Sequence, residues 1–124
     1  MKSFSSASIL LSSVSPGIVL LLKRSNKVRY NGSWSVPGGH IEHNESSKDA
    51  AKRETFEETM IMVSGPIDML GTYDDRYALF GKELDSKVEP VIDEEHDDCG
   101  WFKKDNLPSP IAPFVKEGVG EIYG

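Results

Sequence analysis

Apolar residues occur along this chain in short runs that are separated by polar or turn-forming residues. The first two runs cover residues 7–14 and 18–24, and Ser15, Pro16 and Gly17 between them are typical of a turn. Residues 19–22 are apolar without interruption, as is usual in a strand that is covered on both faces. The pattern therefore predicts two strands joined by a turn at the start of the chain.

Further along, the pattern alternates between strand-like and helix-like periods. Ser46 or Ser47 can cap a helix, Asp49 favours its first turn, and good helix formers follow, so we predict a helix over residues 47–60. Residues 37–45 and the acidic segment 85–98 are predicted loops. The remaining predicted elements are strands at 34–36, 67–73, 77–84 and 100–103, and a short helix at 113–118. Strands around one strong helix predict a layered α/β domain.

The size and charge of the chain limit the classes of protein to which it can belong. Its 124 residues are most simply one domain, spanning residues 1–124. It has 20 Asp and Glu against 14 Lys and Arg, a net charge of −6. Binding to nucleic acid depends mainly on Lys and Arg contacts to phosphates, so an acidic surface argues against a general nucleic-acid binder.

Localisation is predicted from the cysteine content and from the lengths of the apolar runs. Cys99 is the single cysteine, which excludes an intramolecular disulfide and fits a reducing compartment. The apolar runs near the start are split by serines and by Pro16, and they are shorter than the roughly 20 residues that span a bilayer. We therefore expect a cytoplasmic protein that does not enter a membrane.

The predicted helix at 47–60 carries closely spaced like charges. Glu54, Glu57 and Glu58 are separated by three and four residues, so a helix brings them to one face, where like charges repel. Glu57 and Glu58 also lie towards the helix C-terminus, where the helix dipole disfavours negative charge. Either this is an ordinary solvated face, or the carboxylates gather a divalent cation such as Mg²⁺, which prefers carboxylate oxygens.

A Pro37-Gly38-Gly39 sequence precedes this helix. Adjacent glycines are common in simple turns, and they also let a ligand or ion approach the backbone closely. A bend here would bring a backbone carbonyl to the helix that carries the acidic residues.

Residues 39–61, hereafter the box, resemble the Nudix box, Gly-x5-Glu-x7-Arg-Glu-U-x-Glu-Glu-x-Gly-U, in which U is a bulky aliphatic residue. The matching positions are Gly39, Glu45, Arg53, Glu54, Glu57, Glu58 and Ile61. Thr55 stands where an aliphatic residue is usual, and Met60 where glycine is usual. The segments "GSWSVPGG" before the box and "EEH…GWFKKDNLPSP" after it also resemble Nudix domains.

The resemblance implies a Nudix-like α/β/α sandwich with a central mixed β-sheet and the box loop and helix on one face. Nudix enzymes hydrolyse a nucleoside diphosphate linked to another group, usually with Mg²⁺ or Mn²⁺. By this resemblance Glu57 and Glu58 are expected to be the main metal ligands, with the Gly39 carbonyl as a further one. Glu54 is expected to be a ligand or the general base, and Arg53 to hold Glu45 or Glu57 in place.

Members of the family differ in the source of the general base, which in some is an acid on a later loop. In the segment 93–98 we favour Glu95 as a loop ligand or alternative base, and we interpret His96 as structural or as a substrate contact rather than as a ligand. The expected substrate-binding residues are Arg24, Tyr77 and Trp101.

A small-molecule nucleotide, such as a nucleoside triphosphate, is the expected substrate, and the protein is expected to be a monomer or a homodimer. Two other enzymatic activities remain open, namely hydrolysis of dinucleoside polyphosphates and removal of pyrophosphate or a cap from RNA 5′ ends. A Nudix module that only binds nucleotides is the non-enzymatic alternative, and it would fit a box that had lost its acids. Here none is lost.

Overall fold

The computed structural model describes residues 4–13 and 17–124. Strand β1 (Ser6–Ser13) and strand β2 (Ile18–Arg24) lie where the apolar runs predict them, whereas Val14, Ser15 and Pro16 of the predicted strand and turn fall outside the described residues. The elements that follow are β3 (Trp34–Ser35), β4 (Gly38–His40), α1 (Ser47–Thr59), β5 (Asp68–Tyr73), β6 (Tyr77–Leu84), β7 (His96–Lys103) and α2 (Pro113–Tyr123).

The strands form one mixed sheet that opens between β1 and β2. Among the described residues, these two strands pair with each other only through Ser12 and Ser13 of β1. Beyond that point β4 pairs with the first residues of β1, and β3 pairs with the last residues of β2. On its other edge β1 runs parallel to β6, and β2 pairs along its length with β7. The segment 34–40 therefore fills the opening and is held there by both strands.

Strand β4 was predicted to be loop, and that prediction was wrong. Gly38 and Gly39 pair with Ser8 and Ala7 of β1, and a Cβ at Gly38 would collide with Ser8. Glycine permits this close backbone approach. The sequence could not show the pairing, because it depends on a strand about thirty residues away in the chain.

The two faces of the sheet bury two separate apolar clusters. Alternate residues of β1 point to opposite faces, so that Ile9 packs on the α1 side and Leu10 on the α2 side. Ala50 and Ala51 are the buried residues of α1 that join the first cluster, and Val115 and Val119 of α2 join the second. The predicted fold, a central mixed sheet between helical layers with the box helix on one face, is confirmed.

Two elements are longer than predicted. Strand β7 begins at His96 instead of residue 100, because the polar residues at its start pair with the end of β2. Helix α2 continues to Tyr123 instead of ending at Gly118. Gly118 is a packing position, since a Cβ there would collide with Leu79.

Across residues 4–13 and 17–124, no helix is both long enough and apolar enough to cross a membrane.

Candidate active site

The start of α1 sets the direction in which the box carboxylates point. Ser46 is the N-cap, and its hydroxyl accepts a hydrogen bond from the Asp49 amide at 3.1 Å. Ala50 and Ala51 are fully buried against the sheet, which fixes the rotation of the helix about its axis. Glu54 and Glu58 consequently face the β4 strand.

Arg53 is the centre of an ion-pair network within the box. Its Nε and Nη2 donate to both carboxylate oxygens of Glu45 at 2.8 and 3.1 Å. Its Nη1 donates to Glu54 at 3.0 Å and to Glu57 at 2.9 Å, and Nη2 also donates to the His40 carbonyl at 3.0 Å. The sequence predicted that Arg53 would hold Glu45 or Glu57, and the structure places it against both.

The Arg53 network changes the proton affinities of its members. Hydrogen bonds from Arg53 hold the pKa of Glu45 below its ordinary value. In return, hydrogen bonds to Glu45, Glu57 and Glu54 raise the pKa of the Arg53 guanidinium, with Glu45 contributing most. The guanidinium is therefore charged at every accessible pH. One guanidinium faces Glu45, Glu54 and Glu57 together, so the box keeps an excess of negative charge.

Glu58 is a buried carboxylate at the junction of α1 and β4. Its Oε1 accepts a hydrogen bond from the Gly38 amide at 3.2 Å. Burial raises the pKa of Glu58 to about 9; the Gly38 amide opposes this rise, and the charges of Glu54 and Asp93 add to it. An ionised Glu58 thus needs a positive partner, which a cation bound beside it would supply.

Gly39 is the second contact between β4 and the helix. A Cβ at this position would collide with the Glu54 carboxylate, so the carboxylate lies directly against the Gly39 backbone. The absence of a side chain at Gly39 is therefore necessary for Glu54 to occupy its place. The Gly39 backbone and the Glu54 carboxylate are thereby brought together at one place.

This group of oxygen donors fits a divalent cation. Mg²⁺ and Mn²⁺ prefer carboxylate, carbonyl and water oxygens. Among the described residues, no Lys or Arg pairs with the buried Glu58, which is approached by His96 at 3.9 Å. Within the part of the chain that the structure describes, no three His, Cys, Asp or Glu side chains converge closely enough to form a ready ion site. Arg53 Nη1 bonds to one oxygen of Glu54 and to one oxygen of Glu57, so a bound cation would share these carboxylates with Arg53.

The two unusual box positions are accommodated in different ways. Thr55 is fully buried, and its hydroxyl donates to the Ala51 carbonyl at 2.7 Å, so the polar atom on the core face of the helix is satisfied. Met60 ends α1 with φ of 63°, the left-handed conformation in which glycine is favoured, and its amide donates to the Phe56 carbonyl.

In the acidic segment 85–98, the Val91 amide donates to the Thr59 carbonyl at 2.8 Å, and the side chains of Asp93 and His96 approach Glu58. His96 Nδ1 lies 2.8 Å from Asp93 Oδ1, and His96 Nε2 lies 3.9 Å from Glu58 Oε1. Glu95 has an exposed side chain, and its backbone carbonyl accepts from the Ser25 amide. The sequence showed a run of acids here, but the face to which each one points depends on the register of β7 against β2.

The three residues expected to bind substrate lie in different settings. Arg24 ends β2 opposite His96, and its Nε donates to the Arg29 carbonyl. Tyr77 is exposed at the start of β6 and pairs with Ser6 of β1, which also pairs with His40 of β4. The Trp101 ring is half-buried on the α1 side, and its indole N–H donates to the Val88 carbonyl at 3.1 Å.

Comparisons with known proteins agree with this fold. The model of the NUDIX domain matches residues 3–119. A MutT protein from Methanosarcina mazei is 25% identical, with 98% of this chain and 94% of that one covered and a TM-score of 0.66. A MutT Nudix hydrolase from Burkholderia pseudomallei is 23% identical, with 94% and 98% covered and a TM-score of 0.73. An Ap4A hydrolase from C. elegans is 22% identical, with 82% and 81% covered and a TM-score of 0.66.

Proposed function

Because the chain belongs to the Nudix family and so is a hydrolase of pyrophosphate bonds, we propose that it is a Mg²⁺- or Mn²⁺-dependent pyrophosphohydrolase. We propose nucleoside diphosphates linked to another group as its substrates, with free nucleotides such as nucleoside triphosphates as the main class. The observation that carries the proposal is the group of carboxylates around Glu58, which is buried, close to Glu54 and, among the described residues, not paired with any Lys or Arg within 4 Å.

In this proposal Glu57 and Glu58 hold the divalent cation through their carboxylates, together with the Gly39 carbonyl, and Glu54 is either a further ligand or the general base. When bound, the cation neutralises phosphate charge and activates water, which is its general role in phosphoryl hydrolysis. Arg53 positions the ligands, because one guanidinium fixes Glu45, Glu54 and Glu57 at 2.8–3.1 Å. Held in this way, the carboxylates lose little side-chain entropy when the cation binds.

Water attacks phosphorus in line with the leaving group, and a base must accept its proton within hydrogen-bond distance or through one further water. We propose Glu54 as that base, with Glu95 as the alternative. Glu54 is supported by its fixed place between Gly39 and Arg53. Support for Glu95 is its exposed side chain and its place next to His96, whose ring lies 3.9 Å from Glu58.

Arg24, Tyr77 and Trp101 are proposed as substrate contacts. Arg24 lies opposite His96, the first residue of β7, and the His96 ring approaches Glu58. The terminal N–H groups of Arg24 can pair with phosphate oxygens. Tyr77 presents an exposed ring in line with His40 across the sheet, and the half-buried Trp101 is tied to the loop that carries Asp93. Aromatic rings in such places can stack on the nucleobase of a substrate.

Two other substrate classes remain as second proposals. Dinucleoside polyphosphates are favoured by the structural likeness to the C. elegans Ap4A hydrolase, and RNA 5′ ends by the shared pyrophosphate chemistry. A nucleotide-binding module without activity is the non-enzymatic alternative, and the retained box acids argue against it.

We also propose that residues 1–124 form a single domain in a cytoplasmic monomer or homodimer.

A substrate screen tests the proposal. The purified protein is assayed with Mg²⁺ or Mn²⁺ against nucleoside triphosphates, nucleotide sugars, dinucleoside polyphosphates and 5′-triphosphorylated RNA. Glu57→Gln serves as the site variant and Lys48→Ala, an exposed residue of the same helix, as its control. We expect hydrolysis of free nucleotides by the parent and the control only. Tight nucleotide binding without hydrolysis of any substrate would favour the binding module instead.

A further inference from the structure

His96 is a buried histidine whose ring is fixed from one side. Its side chain is 3% exposed, whereas His40 and His43 are exposed. The His96 amide donates to the Asp93 carbonyl at 3.2 Å, and Nδ1 lies 2.8 Å from Asp93 Oδ1. Backbone and side-chain contacts to the same residue leave the imidazole little rotational freedom, and they turn its other nitrogen, Nε2, towards Glu58.

Two contacts to Glu58, from Gly38 and from His96, meet at one of its two carboxylate oxygens. Oε1 accepts from the Gly38 amide at 3.2 Å, and His96 Nε2 lies 3.9 Å from the same atom. Neither contact uses Oε2. A shift of about 1 Å would bring Nε2 and Oε1 to hydrogen-bond distance. Gly38 and His96 thus approach Glu58 at Oε1, and the Glu54 carboxylate is a further side-chain neighbour of Glu58.

Resting on the proposed function, we propose that Asp93 and His96 are positioning residues that orient Glu58 for cation binding. The chain of contacts runs from Asp93 to His96 and from His96 to Glu58 Oε1. Residues behind the ligands of a metal site commonly fix their orientation, and their loss typically weakens metal affinity by roughly 10- to 100-fold. The rival interpretation is that His96 only fills space beneath β7.

The experiment measures Mn²⁺ binding in the absence of substrate, from the electron paramagnetic resonance signal of free Mn²⁺. The variants are His96→Leu, which removes both ring nitrogens, and Asp93→Asn, which removes the carboxylate that fixes the ring. His96→Gln is the conservative variant, because its amide can still point towards Glu58. Asp97→Asn, an exposed acid of the same strand, is the matched charge control.

We expect about tenfold weaker Mn²⁺ binding in His96→Leu and Asp93→Asn, and binding closer to the parent's in His96→Gln and Asp97→Asn. If His96→Leu does not fold, Asp93→Asn and His96→Gln decide the question. A purely structural histidine would lower the melting temperature without changing the Mn²⁺ affinity of the folded protein, and that result would overturn the inference. Equal weakening of Mn²⁺ binding in Asp97→Asn and Asp93→Asn would also overturn it, since the loss of any nearby acid would then have the same effect.

Glu58→Gln separates this inference from the proposed function. If Glu58→Gln weakens Mn²⁺ binding while the Asp93 and His96 variants do not, only the positioning roles are refuted. If Glu58→Gln also binds Mn²⁺ as the parent does, the metal assignment itself fails, and the inference fails with it.

Discussion

The guanidinium of Arg53 binds both carboxylate oxygens of Glu45, with Nε–Oε2 at 2.8 Å and Nη2–Oε1 at 3.1 Å. This two-point contact joins the loop of the box to its helix and leaves Nη1 for Glu54 and Glu57. A planar fork of donors is needed for this arrangement, and lysine cannot replace it. The position of the carboxylates therefore depends on the shape of Arg53 as well as on its charge.

We expect Arg53→Lys to reduce kcat/KM by about 10- to 100-fold, because the ammonium group cannot hold Glu45, Glu54 and Glu57 together. Steady-state hydrolysis of the best nucleotide substrate measures the effect. Lys48→Ala on the exposed side of the same helix is the control and should retain parental activity. Parental activity in Arg53→Lys would show that positive charge alone is sufficient.

Gly39→Ala should lower activity with little loss of stability. The new Cβ would meet the Glu54 carboxylate, which can swing away but then leaves its position against β4. We expect a fall in kcat of about 100-fold with a melting temperature close to the parent's. Gly120→Ala is the matched control, because nothing lies within 4 Å of a Cβ at that position. A fully active Gly39→Ala would contradict the close approach of Glu54 to the backbone.

Glu58→Gln should change how stability depends on pH. The pKa of Glu58 is raised to about 9 in the folded protein, so the folded state retains a proton that the unfolded chain releases above its ordinary pKa of 4.5. The free energy of unfolding of the parent therefore falls as the pH rises between those two values. Glutamine cannot ionise, and its side-chain oxygen can still accept a hydrogen bond from the Gly38 amide.

In metal-free buffer, we thus expect Glu58→Gln to be more stable than the parent above neutral pH, by about 1–3 kcal/mol. Urea unfolding of both proteins across this pH range measures the difference. Added Mn²⁺ should stabilise the parent more than the variant, because only the parent offers the charged ligand. Parallel curves for the two proteins would show that Glu58 is ionised at no cost.

Met60→Gly should stabilise the protein by up to about 1 kcal/mol, because Met60 caps α1 in the left-handed conformation that glycine adopts without strain. Met62→Gly is the matched control, since Met62 is also exposed but is not among the positive-φ residues. Thermal unfolding of both variants gives the comparison. A gain in Met62→Gly as large as that in Met60→Gly would refute the strain argument.

The elements that could be predicted are those whose signals are local. The Ser46 cap and the buried alanines of α1 lie within one turn of each other, and the predicted helix differs from α1 by one residue. Strand β6 has the predicted bounds, because its apolar residues are consecutive. The spacing of the box glutamates likewise placed Glu54 and Glu58 on one side of the helix.

The features that could not be predicted depend on pairing between distant parts of the chain. Gly38 reads as a turn residue until its contact with Ser8 is known. Asp93 was one acid among several, and it is distinguished only by the β2–β7 register that places His96 beside Glu58. Thr55 stands where an aliphatic residue is usual, and only the structure shows that the Ala51 carbonyl accepts a hydrogen bond from its buried hydroxyl.

The most direct test of the central claim, that the carboxylates of α1 bind the divalent cation used for pyrophosphate hydrolysis, is a Mg²⁺ titration of nucleotide hydrolysis by the parent and Glu57→Gln. We predict hydrolysis by the parent that requires Mg²⁺ and is abolished by chelation. Glu57→Gln should be slower by about 100-fold or more at saturating nucleotide, with a higher Mg²⁺ requirement. Equal rates and equal Mg²⁺ dependence in the two proteins would contradict the account.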